Sequence, residues 1–373
     1  MKKVFLFSIF LLCGLFFSQI LPSALGSAYG TLASISKWLM FICLAFIMIN
    51  VGREFELDKA KWRSYTTDYF IAMATAAVPW LLIAGYYIFF LDTGLSWENN
   101  LLISRFAAPT SAGILFTMLA AAGLKKEWIY KKTQVLAIFD DLDTILLMIP
   151  LQILMIGFKW QLFVIIGVVC ILLIFGWKRL SSLNLPQSWK SILLYSVCIV
   201  AAFESVYLIS KALMGQDGAI HIEVLLPAFV LGMVMKTVHN HSQEEERASS
   251  FISYLFMFLV GLSTPIFIGL ETGGDGMPGW GMLIFHVIVV TILSNLGKMF
   301  PLFFYRDRKI QERLALFTRG EVGAGIIVIA MGYQLGGPAL IISILSLVLN
   351  LVLTGFFVVA VKRISQSVYG VKE

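Results

Sequence analysis

"AIFDDLDTILLMIPLQ", residues 137–152, sets three carboxylates, Asp140, Asp141 and Asp143, at the head of a run that otherwise reads as apolar, membrane-buried helix. An ionised side chain near the centre of a bilayer costs about 2.5–3.5 kcal/mol even on the lenient insertion scale, so three of them call for a chemical role. Successive helical residues turn by about 100°, which puts Asp140 and Asp143 on one face and Asp141 on another. One face can then line a water-filled cavity while the other meets a cationic partner.

The rest of the chain explains why that run is membrane helix. Of 373 residues, 59% are hydrophobic and only 13% charged, against about 25% charged in soluble domains. Apolar runs recur from end to end, each close to the roughly 20 residues a bilayer-spanning helix needs. The chain therefore reads as an all-α integral membrane protein, one membrane domain over residues 1–373. The net charge of +6 does not point to nucleic acid, because the basic residues cluster between apolar runs. Cys13, Cys43, Cys170 and Cys198 each sit singly in an apolar run, without the paired spacing of a zinc site or a disulfide framework.

Charged, Gly-rich or Pro-rich breaks divide the chain into twelve spans: 4–21, 32–51, 68–91, 101–122, 133–157, 160–177, 190–212, 222–238, 250–270, 281–305, 312–333 and 338–361. With the N-terminus inside, 22 of the 28 Lys and Arg residues fall in inner segments, and only Lys37, Arg105, Lys159 and Lys211 on the outer side. That bias places both termini in the cytoplasm and makes the first span a retained helix rather than a signal peptide. The polar stretch "KTVHNHSQEEERAS", residues 236–249, reads as a solvated turn rather than a metal site.

The charged residues read as intramembrane are Asp140, Asp141, Asp143, Glu204, Lys298, Arg319 and Glu321. Lys298, the one Lys deep within a span, is the natural counter-charge for the aspartates. Two spans look broken. Span 4 carries Pro109, Thr110 and Ser111 in mid-run, and span 11 carries Gly320, Gly323 and Gly325. Proline removes a backbone donor and crowded glycines unwind a helix at little cost, so each span can open into half-helices whose ends face the midplane. The broken spans are the fourth from the start and the second from the end. Spans 1–5 (4–157) and 8–12 (222–361) then form two five-helix repeats of opposite orientation, with 68–157 and 281–361 as the core.

On these residues the chain resembles the monovalent cation:proton antiporter superfamily, which includes bacterial sodium/proton antiporters. "FICLAFIMINVGREFELD" is similar to the family's second span, "APTSAG" to its broken fourth and "AIFDDLDTILL" to its paired-aspartate fifth. "LLPAFVLGMVM", "LVGLSTPIFIGLETG", "NLGKMFPLFF" and "TRGEVGAGIIVIAMG" are similar to spans 8 to 11. The resemblance implies exchange of Na⁺ or Li⁺ for H⁺, without cofactor or enzymatic activity, by a homodimer in the inner (plasma) membrane, and its paired aspartates imply the electrogenic branch. By position it makes Asp141 the carboxylate that takes Na⁺ or a proton, pairs Asp140 with Lys298, and offers Thr110, beside Ser111, as an oxygen ligand. Arg319 and Glu321 would bridge to steady the unwound helix. Asp143, where relatives place a small residue, and Pro109, ahead of the Thr-Ser pair rather than after it, depart from the pattern. K⁺/H⁺ exchange stays open, since oxygen ligands alone do not exclude K⁺. An intramembrane aspartyl protease fits less well, because its dyad needs acids on two spans and Asp140 and Asp141 are adjacent on one.

Overall fold

The computed structural model describes residues 2–53, 62–91, 94–109, 135–136, 139–140, 143, 147, 150–151, 160–214, 224–236, 242–264, 279–304, 321–332 and 335–369. These are almost wholly helical. Helix α1 (Lys2–Leu25) passes through a 3-10 turn at Gly26–Ala28 into α2 (Tyr29–Arg53). Then come α3 (Trp62–Phe89), α4 (Trp97–Ser104), α5 (Trp160–Lys178) and α6 (Trp189–Met214). The last are α7 (Leu225–Val234), α8 (Gln243–Leu262), α9 (Trp280–Lys298), α10 (Glu321–Gly332) and α11 (Gly337–Tyr369). Between α4 and α5 the described residues 135–136, 139–140, 143 and 150–151 are helical. Among the described residues the only extended pairing is an isolated bridge, Leu183 with Met235.

Four described stretches are long and apolar enough to cross a membrane: Leu6–Arg53, which holds α1 and α2 together, Thr66–Phe89, Trp189–Leu213 and Trp280–Lys298. Helices run past the expected spans at several ends, and in the polar stretch before α8 the departure has a local cause. Residues 243–249, expected as part of a solvated turn, form the first turns of α8, because Ser242 and Glu245 make a reciprocal capping box. That arrangement satisfies two orphan backbone donors and lets the polar stretch start the helix.

Without water to drive apolar association, helices in a membrane pack where small residues let backbones approach. α1 crosses α8 at Gly14 and Gly261, and α2 crosses α7 at Gly52 and Gly232; a Cβ at Gly14 would stand 2.0 Å from the Phe258 carbonyl oxygen. α9 crosses α3 at Gly297, which lies against the backbone of Pro79. A ladder of buried hydrogen bonds joins α3, α9 and α11. Tyr87 Oη meets Ser343 Oγ at 2.8 Å, Thr291 Oγ1 meets Ser346 Oγ at 2.9 Å, and Asn295 Nδ2 donates to Asn350 Oδ1 at 2.6 Å. Each such bond contributes about 0.6 kcal/mol on average in a membrane protein, and together they hold the three helices in register.

Candidate ion-exchange site

The site begins where span 4 stops being helix. Ser96 caps α4, its Oγ accepting from the Asn99 N–H at 3.4 Å. After Ser104 the chain tightens into a 3-10 turn, Arg105–Ala107, and reaches Pro109. Proline brings no N–H, so carbonyls at the end of this half-helix lack the intrahelical donor they would otherwise have. The end of a helix also carries partial negative charge, which favours a cation there. Lys298, at the end of α9, supplies one: its Nζ donates to the Ala108 carbonyl and to Asp140 Oδ2, the latter at 2.8 Å. Both side chains are buried, with 1% and 2% exposure. A buried ion pair recovers its desolvation cost only with further hydrogen bonds, and the Ala108 carbonyl provides one.

A second cation stands close by. Arg105, counted on the outer side by the charge bias, is fully buried. Its Nη2 donates to the Asp143 main-chain carbonyl at 3.0 Å, and its guanidinium lies 4.6 Å from the centroid of the Trp80 ring. Trp80 is itself held by a 2.8 Å hydrogen bond from Nε1 to the Leu101 carbonyl, one turn before Arg105. Asp143 is 1% exposed. The Ser96 cap starts α4 at Trp97, so at 1.5 Å per residue Arg105 sits about 12 Å along the helix from its first residue.

Spans 4 and 11 meet here. α10 passes the 3-10 turn at Gly323, where an added Cβ would lie 2.7 Å from the Phe106 carbonyl oxygen. On the other side of α10 a cavity of about 210 Å³ lies between it, α2 and α8, lined by Ser36, Lys37, Met40, Leu262, Val328 and Met331 among others.

Of the residues expected from sequence, the structure brings together Asp140, Asp143 and Lys298. Glu321 stands at the first position of α10, and its side chain is outside the description. Asp141, Thr110, Ser111 and Arg319 lie outside the described residues. Glu204 is half-buried on α6, which packs chiefly on α2, away from these groups. Glu204→Gln is therefore expected to keep cation-evoked proton flux within about twofold of the parent; loss of transport in a well-folded protein would place it in the ion path. Sequence reading passed over Arg105, the buried Asp68 of α3 and the pair Tyr86–His286, whose Oη and Nδ1 are 2.6 Å apart. For Arg105 the signal was present in Ser96 and the acidic first turn at Glu98, which mark where the helix starts.

A profile of the family described as "Sodium/hydrogen exchanger, transmembrane" matches residues 2–364. No curated protein sequence matches the chain. Among solved structures, the chain is similar in fold to the sodium proton antiporter MjNhaP1 from Methanocaldococcus jannaschii, solved at pH 8, with a TM-score of 0.59 and 13% identity. That likeness covers 94% of this chain and 92% of the other.

Proposed function

The chain belongs to the sodium/hydrogen exchanger family, a family of multi-pass cation/proton antiporters rather than enzymes, and from that premise we propose that it exchanges Na⁺ or Li⁺ for protons electrogenically, by alternating access. The observation that carries this reading is the buried Lys298–Asp140 pair, 2.8 Å apart at the end of the interrupted α4. Lone intramembrane charges are costly, and a pair that can open gives its carboxylate to an incoming cation.

The working groups are assigned as follows. Asp141 holds either a proton or the cation. Thr110, with Ser111 beside it, adds oxygen at the broken span, and Arg319 with Glu321 steadies the other. When the cation enters, Asp140 turns to it and Lys298 gives up its proton, so two protons leave for one cation. Asp143 sits beside the reaction rather than in it. Residues 68–157 and 281–361 move as the core, which the buried ladder joining α3, α9 and α11 supports. The cavity between α10 and the helices α2 and α8 lies along the boundary where that core would slide. The two glycine crossings, α1 on α8 and α2 on α7, are the pair of contacts that an inverted repeat of spans 1–5 and 8–12 would relate to one another. The basic clusters support a plasma-membrane topology with both termini in the cytoplasm, and the remaining helices would form a homodimer surface.

Proton flux in proteoliposomes on separate addition of Na⁺, Li⁺ and K⁺ tests the reading. Flux with Na⁺ or Li⁺, increased by an inside-positive or inside-negative potential according to direction, is expected; a K⁺-only response would overturn the substrate assignment. Lys298→Gln is expected to lose the response to an imposed potential while some electroneutral exchange survives, and to melt at lower temperature because Asp140 is left without its cation. A mutant that still follows the potential fully would remove Lys298 from the proton count.

A further inference from the structure

Arg105 and Lys298, at 0% and 1% exposure, are the most deeply buried cations among the described residues, and both are tied to span 5, Arg105 to the Asp143 carbonyl and Lys298 to the Asp140 carboxylate. Lys298 meets a carboxylate directly. Arg105 is held differently. Its guanidinium is stacked on Trp80, donates to a main-chain carbonyl, and lies within electrostatic range of both Asp143 and Asp140. A stacked guanidinium that keeps its charge under nearly all conditions does not exchange protons. Trp80 is tied back to Leu101, so the arginine, its ring and the end of α4 form one rigid group.

We propose that Arg105 is the fixed counter-charge of the exchange site: a positioning residue that anchors the aspartate-bearing turn of span 5 to the broken span 4 and sets the net charge the moving core carries. The inference rests on the antiport reading above, in which Asp141 belongs to the same cluster as its sequence neighbours. In that reading Asp141 adds a third carboxylate to Asp140 and Asp143, against the two cations Lys298 and Arg105. One net negative charge remains while Lys298 is protonated, and a single proton or a single monovalent cation neutralises it. When the cation displaces the Lys298 proton, the loaded core carries one negative charge, and the proton-loaded core carries none. The difference of one charge per cycle is what makes the exchange respond to voltage. Without Arg105 both loaded forms become more negative by one. The cation is then held more tightly and the core crosses more slowly, because moving net charge through hydrocarbon is unfavourable.

The test is steady-state exchange in proteoliposomes with Na⁺ as the probe, at alkaline pH where protons compete least. In Arg105→Gln the apparent KM for Na⁺ is expected to fall about tenfold, the scale of one unit charge acting at close range in a medium between protein and water, while the maximal rate falls by more than that. Arg105→Lys keeps the charge and should keep the parental KM, but melts at lower temperature because an ammonium on a flexible stem loses the planar stack on Trp80. Asp143→Asn should raise KM about tenfold, and Arg105→Gln combined with Asp143→Asn should bring it back towards the parent. A purely structural arginine predicts the other pattern, in which Arg105→Gln lowers rate and melting temperature with KM unmoved. That result, or an Asp143→Asn protein with parental KM, would overturn the proposal even if Arg105→Gln itself fails to fold. Absence of any cation-evoked flux from the parent protein would instead strike the antiport reading, leaving the two failures distinct.

Discussion

Asp141→Asn is expected to abolish both cation and proton movement, the complete loss that no other single change in the cluster should match. Asparagine offers an oxygen but no exchangeable charge, so the site loses the one group that alternates between a proton and the cation. Asp140→Asn should behave differently. It leaves Asp141 able to exchange, but takes from the buried Lys298 ammonium the carboxylate it is paired with. Removing one partner of a buried ion pair costs about 3–5 kcal/mol, so this variant should melt well below the parent while any folded fraction exchanges without response to voltage. The two aspartates are neighbours in sequence, and helical spacing sets such neighbours about 100° apart, which is why the same substitution is expected to give two phenotypes. Proton flux from about pH 5 to about pH 9 on purified, melt-checked variants decides it. An active Asp141→Asn beside an inactive Asp140→Asn would mean that the faces of this helix have been assigned the wrong way round.

What the sequence disclosed and what it hid follow from the same energetics. Charges inside apolar runs are so costly that Asp140 and Lys298 announce themselves, and the structure finds them 2.8 Å apart. Pro109 likewise announces the break, and α4 does stop at Ser104 with a 3-10 turn after it. Arg105 did not stand out, because the rule that reads topology from Lys and Arg counts any basic residue near a short loop as belonging to it, four positions inside the span or not. The ladder of Tyr87, Thr291, Asn295, Ser343, Ser346 and Asn350 was hidden for the opposite reason. Hydroxyls and amides cost too little in a span to be conspicuous, and which of them meet across helices is decided by packing angles that periodicity does not encode.

Gly323→Ala should damage exchange strongly although it touches no charge. The added Cβ would lie 2.7 Å from the Phe106 carbonyl oxygen, nearer than real Cβ contacts come, and the obstacle is backbone. That backbone has little freedom to retreat. Phe106 is the middle of the Arg105–Ala107 turn; the residue before it is anchored on Trp80 and the Asp143 carbonyl, and the Ala108 carbonyl just after it accepts from Lys298. A few tenths of an ångström of displacement therefore reaches both buried cations at once. Overpacking of this kind costs about 1–3 kcal/mol, and misplacing the groups of a preorganised site lowers rate further, so exchange should fall more than tenfold with a lower melting temperature. Gly325→Ala is the matched control, since its Cβ would meet Leu44 Cδ1 at 2.9 Å, the far end of a flexible side chain that can turn aside. Two residues along the same helix, the same methyl group should cost little. Flux and melting curves measured side by side separate the cases, and equal damage from both would mean that α10 tolerates no added volume anywhere, rather than that the contact of α10 with the Arg105–Ala107 turn is what the glycine protects.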